Sequence, residues 1–263
     1  MRSEVLKGIH LRKVDISVLE IGIICVVGLG LGAMGAIIGS TLLVIVPMLS
    51  LFGLPIQTAI GTGKVSVVGR EIIPAIYFQR KKLVKLGLAI PFSIAAFITS
   101  WYGSVVAISL DAGHLEKIVG ICMCLISAII LLNPKIGLQE KEIKRTPLTT
   151  ILSVLLGAMV GFYTGIFGGG ANVFIIFGLI LIFGNTFLQA TATSKLPNLI
   201  ITLASIPMFV INDFVSWKIA IPLTISTATG SYFGAKLAIK KGSRFIRVLF
   251  VGLVCVLAVK YLI

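Results

Sequence analysis

The sequence predicts an all-α polytopic membrane protein built from two homologous repeats of four to five helices each, with eight to ten transmembrane segments, some broken by glycine or re-entrant. Three observations predict it. First, 57% of the 263 residues are apolar and 12% are charged, with a mean hydropathy of +1.11. A soluble domain of this size needs a more charged surface. Second, the apolar stretches Ile16–Gly39, Gly87–Leu110, Leu115–Leu132, Leu148–Phe167, Phe187–Ile211 and Ile219–Ile239 have about the 20 residues that cross a bilayer. Third, the chain matches itself at a shift of 131 residues: FGLPIQTAIGTGK at 52–64 falls on FGNTFLQATATSK at 183–195, aligning Thr62 with Thr193 and Lys64 with Lys195. The register continues, with Ala89, Ile90 and Pro91 on Ala220, Ile221 and Pro222, and Cys124 on Cys255. A shared lysine and threonine in one apolar setting do not coincide by hydrophobicity alone.

The head of the chain carries Arg2, Lys7, Arg12 and Lys13 before a long apolar run. That run exceeds the roughly 7 to 15 residues of a secretory leader and lacks a convincing cleavage site, so a retained first helix is expected. The N-terminal repeat is 1–132, the polar segment NPKIGLQEKEIKRTP at 133–147 is the linker, and the C-terminal repeat is 148–263. Each half reads as a long apolar run, a glycine break, a short apolar run, a second break and three further helices. The short run Ala171–Gly184 has 14 residues, about 21 Å as a helix against a hydrocarbon core of about 30 Å. It re-enters or crosses as a shortened piece. Irregular backbone at membrane depth is tolerated only against protein or a wet cavity, and interruptions at matching places in two halves point to a transport site.

Two topologies fit. If the short runs re-enter, there are eight crossings; the clusters near 2–13, 80–85 and 135–145 are cytoplasmic, and Lys236, Lys240, Lys241, Arg244 and Arg247 lie outside. If they cross, ten segments form two inverted sets of five, with that last cluster inside and the N-terminal tail outside. Charge counting does not separate them. Pro91 and Pro222 read as helix kinks, and Trp101 and Trp217 as interface anchors or packing.

The net charge of +14 sits in short clusters between apolar runs, a positive-inside pattern rather than a nucleic-acid surface. Cys25, Cys122, Cys124 and Cys255 all lie within apolar runs, and only His10 and His114 are available as histidine ligands. Neither a disulfide framework nor a zinc site is expected, and no cofactor. The chain lacks G-x-S-x-G and H-E-x-x-H, and both histidines sit near helix ends, so an enzyme is not expected.

GIFGGG at 165–170 puts four glycines in six positions. Small residues also serve close helix packing, but each of three consecutive glycines costs a helix about 1 kcal/mol relative to alanine. A broken helix is expected around Gly168, Gly169 and Gly170, with freed N–H groups near Ala171 suited to an anion and Asn172 as a further donor. Gly39, Ser40 and Thr41 hold the matching place in the first half. A lysine inside a bilayer costs about 2.5 to 3.5 kcal/mol on insertion scales and marks function unless it snorkels. Lys64 and Lys195 lie at least eight residues into helices counted from Ile56 and Phe187, where snorkelling is strained. Their placement brings two cations toward one central site, with Thr62, Thr193 and Ser194 supplying hydroxyls. Glu71 shares the face of Lys64, whereas Arg70 points elsewhere; their equivalents in the second half are Thr202 and Ile201. Glu71 either carries a coupling proton or neutralises a buried cation. Asn198, three residues after Lys195, lines the pathway.

The duplicated pattern of a glycine-rich break, an apolar run, an FG turn and ATATSKLPN resembles the TauE/SafE sulfite exporter family, also called the toluene sulfonate uptake permease family. The resemblance runs from about Ile21 to the end. In the first half, GAMGAIIGSTLLVIVP keeps Gly35, Gly39 and Pro47 but lacks the glycine triplet. The resemblance implies a secondary transporter of small sulfur-containing anions such as sulfite, sulfonates or sulfoacetate. The reading that follows is an inner-membrane protein with the lipid bilayer, a small anion and a coupling proton as partners, working by alternating access between the repeats. The rivals are a membrane assembly factor that binds a partner without transport and an intramembrane enzyme. Substrate, direction and oligomeric state are left open by the sequence.

Overall fold

The structure, a computed structural model, describes residues 17–39, 41–107, 137–140 and 146–262. The expected segment Leu115–Leu132, with His114, Cys122 and Cys124, lies outside the described residues, as do Ser40, His10 and most of the linker. Every regular element among the described residues is an α-helix: α1 (Val18–Ile38), α2 (Leu42–Leu51), α3 (Ile56–Arg80), α4 (Leu86–Ala107), α5 (Pro147–Ile166), α6 (Ala171–Phe183), α7 (Phe187–Ile211) and α8 (Trp217–Leu262). The last is two helices joined at Gly242, whose φ of 73° and ψ of −172° are not helical.

Local chemistry starts several helices. Ser17 and Glu20 exchange side-chain and backbone hydrogen bonds at the head of α1, and Thr146 with Thr149 and Thr186 with Gln189 do the same for α5 and α7. Each pair satisfies donors that the first helical turn leaves open. Pro147 then sits in the first turn of α5, where its missing N–H costs nothing.

Four described helices have the length and apolarity to cross a membrane: α1, α4, α5 and α7. Their outward faces are apolar, with Leu19, Ile94, Ile98, Leu148 and Met159 exposed, while Lys64, Arg70, Glu71, Lys195 and Asn198 are buried. Exposed apolar surface on this scale needs lipid as its solvent. Trp101 and Trp217 are on that outer surface. Pro91 and Pro222 lie within α4 and α8.

The helix boundaries follow the 131-residue shift. α3 and α7 begin and end 131 residues apart, and so do the starts of α4 and α8. Glycines set the closest helix contacts. A Cβ at Gly32 would lie 2.2 Å from the Thr227 carbonyl oxygen, and one at Gly234 would lie 2.2 Å from that of Ala33. α1 and α8 therefore pack side by side in the same direction. In α5, Gly157, Gly161 and Gly165 likewise meet Phe92, Ala96 and Ser100 of α4, again in parallel. Small residues at four-residue spacing let backbones approach in this way.

α3 and α7 are opposed: Lys64 meets Ser205, and Glu71 meets Asn198. Thr62 pairs with Ser216 and Ser66 with Thr227, so α3 runs with α8. Lys85 pairs with Thr193 and Ser100 with Ile201, so α4 runs with α7; hence α1, α3 and the part of α8 before Gly242 share one direction, and α4, α5 and α7 the other. α1 and α3 can be parallel only if the chain turns back between them, and α2 is the element that does so; α6 has the same place between α5 and α7. At 10 and 13 residues, they are about 15 and 20 Å long.

Candidate functional site

Buried polar residues concentrate on α3 and α7, and the two lysines organise them. Lys64 Nζ donates to the carbonyl oxygens of Thr164 (2.7 Å) and Gly165 (2.8 Å) and to Ser205 Oγ (3.1 Å). It also lies 4.8 Å from the centroid of the Phe209 ring. Three acceptors match the three donors of an ammonium. Thr164 and Gly165 are in the last turn of α5, where carbonyls lack intrahelical partners and carry partial negative charge. On the other side, Lys195 Nζ donates to the Gly35 carbonyl near the end of α1 (2.7 Å) and lies 3.5 Å from Glu71 Oε2. Each lysine thus caps the long first helix of the other half, just before its break.

The hydroxyls form a second matched set. Thr62 Oγ1 accepts from the Ser216 N–H (2.9 Å) and Thr193 Oγ1 from the Lys85 N–H (3.1 Å). They tie the start of one helix to the middle of another rather than facing a ligand. Ser194 Oγ donates to the Thr191 carbonyl of its own helix (2.9 Å).

The two breaks meet. α1 stops at Gly39, with φ 73° and ψ −155°, and a Cβ there would lie 2.1 Å from Asn172 Nδ2. Only glycine combines that backbone with that approach. In the second break, Gly168 and Gly170 have φ of 80° and 83°, and the Gly169 carbonyl accepts from the Tyr163 hydroxyl. The N–H groups of Ala171 and Val173 at the head of α6 are taken up by the carbonyls of Gly168 and Gly170. Between the breaks, Leu42, Lys64, Arg70, Gly168, Asn172 and Asn198 line a cavity of about 20 Å³, measured as space open to the centre of a water molecule. That is room for about one water.

Arg70 corrects the sequence expectation. It does not point away from the site: it is buried, it lines this cavity, Nη1 donates to Thr41 Oγ1, and Nη2 pairs with Glu71 Oε1 at 2.5 Å. Glu71 in turn faces Lys195 and accepts from Asn198 Nδ2 (2.9 Å); Lys64, which shares its helix face, goes to α5 instead. The long arginine side chain reaches around α3 to its neighbour, which a helical wheel drawn at Cβ does not anticipate. Arg70 carried the same signal as Lys64, a charge deep in an apolar run. The carbonyl partners of the lysines have no sequence signal, because every residue offers one. Among the described residues, two polar atoms at the cavity are buried without a hydrogen-bond partner, Arg70 Nε and Asn172 Oδ1.

The family model of the sulfite exporter TauE/SafE matches residues 24–261. A "Probable membrane transporter protein" of Haemophilus influenzae is 28% identical over 233 residues, 89% of this chain and 91% of that protein. The "Probable membrane transporter protein YfcA" of Escherichia coli K12 is 28% identical over 94% of this chain and 91% of its own length. YdhB of Bacillus subtilis, named in the same way, is 26% identical over 80% of this chain and 85% of its own. No solved structure matches. The chain belongs to the TauE/SafE family and is a membrane transporter.

Proposed function

We propose that this TauE/SafE chain is a secondary transporter moving small sulfur-containing anions, such as sulfite, sulfonates or sulfoacetate, across the inner membrane. Protons drive it, and two inverted halves alternate access to one site. The observation that carries the reading is the buried cluster of Lys64, Arg70, Glu71, Lys195, Asn172 and Asn198 where the two breaks meet. Charges at this depth are expensive to bury; a helix bundle needing only packing has no use for four of them. The family description supports a sulfur oxyanion, and the names of the relatives support transport. Helices α3 and α7, equivalent under the 131-residue shift, run in opposite directions, which supports inverted repeats of five segments.

In this reading the lysines hold the helix ends and keep the site positive, the Thr41 hydroxyl bonded to Arg70 frames it, the Thr62, Thr193 and Ser194 hydroxyls brace the helices around it, and Glu71 carries the coupling proton. A space for one water excludes a four-atom oxyanion, so loading requires the breaks around Gly39 and Gly168–Gly170 to part. Purified protein in liposomes tests the function. An inward-directed proton gradient is expected to drive uptake of labelled sulfite or a sulfonate above the level of empty liposomes. Absence of flux for every sulfur anion, with stable binding of another membrane protein, would replace transport with an assembly role.

A further inference from the structure

The geometry points to Arg70 as the residue that holds the transported anion, with the Glu71 carboxylate standing in the anion's place until it is protonated. The inference rests on the transport reading above. Among the charged groups at the cavity, Lys64 has no donor left, because Thr164, Gly165 and Ser205 take all three. Arg70 is different. Its Nη1 holds Thr41, its Nη2 holds a carboxylate, and its Nε has no partner although buried at the cavity. A guanidinium presents a planar fork that matches a carboxylate or another oxyanion. Glu71 occupies one side of that fork and shares Asn198 and Lys195 as further partners. A sulfonate or sulfite oxygen placed there would find the same three groups.

The shared partners favour exchange over addition, and exchange leaves the charge of the site as it is. Among the described residues, Arg70, Lys64 and Glu71 on α3 and Lys195 on α7 are the charged groups that face this point; the end of α1 contributes the Gly35 carbonyl and the residue before α2 the Thr41 hydroxyl. When a proton moves onto Glu71 and a monovalent anion takes its place on Arg70, the formal charge of the buried site is unchanged. Adding the anion without the proton would set it beside the Glu71 carboxylate on the same side of Arg70 and at the same Asn198 amide, where two like charges in contact repel in a poorly hydrated space even with the lysines near. Arg70 also bonds Thr41 in the first break, so occupancy of the guanidinium is felt where the chain must open. The second half cannot do this: its equivalents are Ile201 and Thr202.

Binding of methanesulfonate to the purified full chain, measured by calorimetry, tests the inference, since this anion stays ionised across the working pH range. Affinity is expected to tighten by about tenfold per unit fall in pH while Glu71 is ionised, as linkage to one proton requires. Glu71→Gln is expected to bind with an affinity independent of pH, and Arg70→Met, checked for folding, to lose at least about tenfold. If Arg70→Met does not fold, the slope of affinity against pH in wild type and Glu71→Gln decides alone. An unchanged slope in Glu71→Gln, or normal affinity in Arg70→Met, overturns the inference while leaving transport standing. Absence of binding by wild type to methanesulfonate, sulfite and sulfoacetate at every pH overturns the functional reading and this inference with it.

Discussion

Lys64 and Lys195 occupy equivalent positions on α3 and α7 and cap equivalent helices, yet their surroundings differ. Lys64 is held by two carbonyls and a hydroxyl, all neutral; Lys195 has one carbonyl and the Glu71 carboxylate. The cause lies in two substitutions between the halves. Ser205, the third acceptor of Lys64, corresponds to Pro74, which offers Lys195 no hydroxyl, and Glu71 corresponds to Thr202. Two helices that match under the 131-residue shift thus both carry a helix-capping cation, while a carboxylate lies beside only one of them. The comparison separates holding the helix ends in place, which both lysines do, from pairing with a carboxylate, which among the described residues Lys195 alone of the two does.

The largest expected effect tests the neutral side. Lys64→Met removes three charge-assisted hydrogen bonds and leaves the end of α5 without its cap, so a loss of at least about 3 kcal/mol is expected. Lys195→Met leaves Glu71 still paired with Arg70 and is expected to cost less, about 1.5 to 3 kcal/mol. Thermal unfolding in detergent ranks the two, and the reverse order would undo the comparison. The breaks themselves come next. Both Gly39→Ala and Gly168→Ala force a side chain into a positive φ, but the first also drives it into Asn172, at 2.1 Å, whereas the second meets its nearest neighbour, the Thr164 carbonyl, at 3.2 Å. The first is expected to cost about 2 to 3 kcal/mol and the second about 1, read from the same melts.

A double-mutant cycle sharpens the contrast further. Lys195→Met combined with Glu71→Gln is expected to show a coupling of about 1 to 2 kcal/mol, and Lys64→Met with Glu71→Gln close to zero; equal couplings would mean that Glu71 serves both lysines. The smallest effect lies outside the bundle. Glu140 pairs with Lys85 and accepts from Gln189 Nε2, and these partners, Lys85 first, hold its carboxyl below the ordinary range. A depressed carboxylate contributes stability above its unfolded range and loses it as pH falls through the folded one. Because the pair is exposed, the loss on acidification is expected to be at most about 0.5 kcal/mol, and Glu140→Gln should remove it.

Much of this was legible in one dimension. Membrane class follows from apolar runs, because a bilayer demands about 20 such residues whatever their neighbours. The bounds Phe187–Ile211 of α7 were readable to the residue from its apolar extent, and Thr186 and Gln189 cap its start in the structure. The glycine break at 168–170 was readable because a helix tolerates the triplet poorly. The self-match placed Lys64 and Lys195 in equivalent settings, which local pattern alone can do.

Tertiary structure decided the rest, and each case has its reason. Sequence could not say how the long helices run relative to one another, because charge counting weighs loops and not helix directions; the contacts of Lys64 with Ser205 and Glu71 with Asn198 set α3 against α7. It could not say what the lysines touch, because their partners are backbone carbonyls that any residue would supply. It turned Arg70 away from the site, because a wheel fixes where a Cβ points and not how far a long, flexible side chain reaches. Periodicity and composition are local sums over neighbouring residues; the meeting of Gly39 with Asn172, or of Arg70 with Thr41, exists only when helices distant in the chain pack against one another.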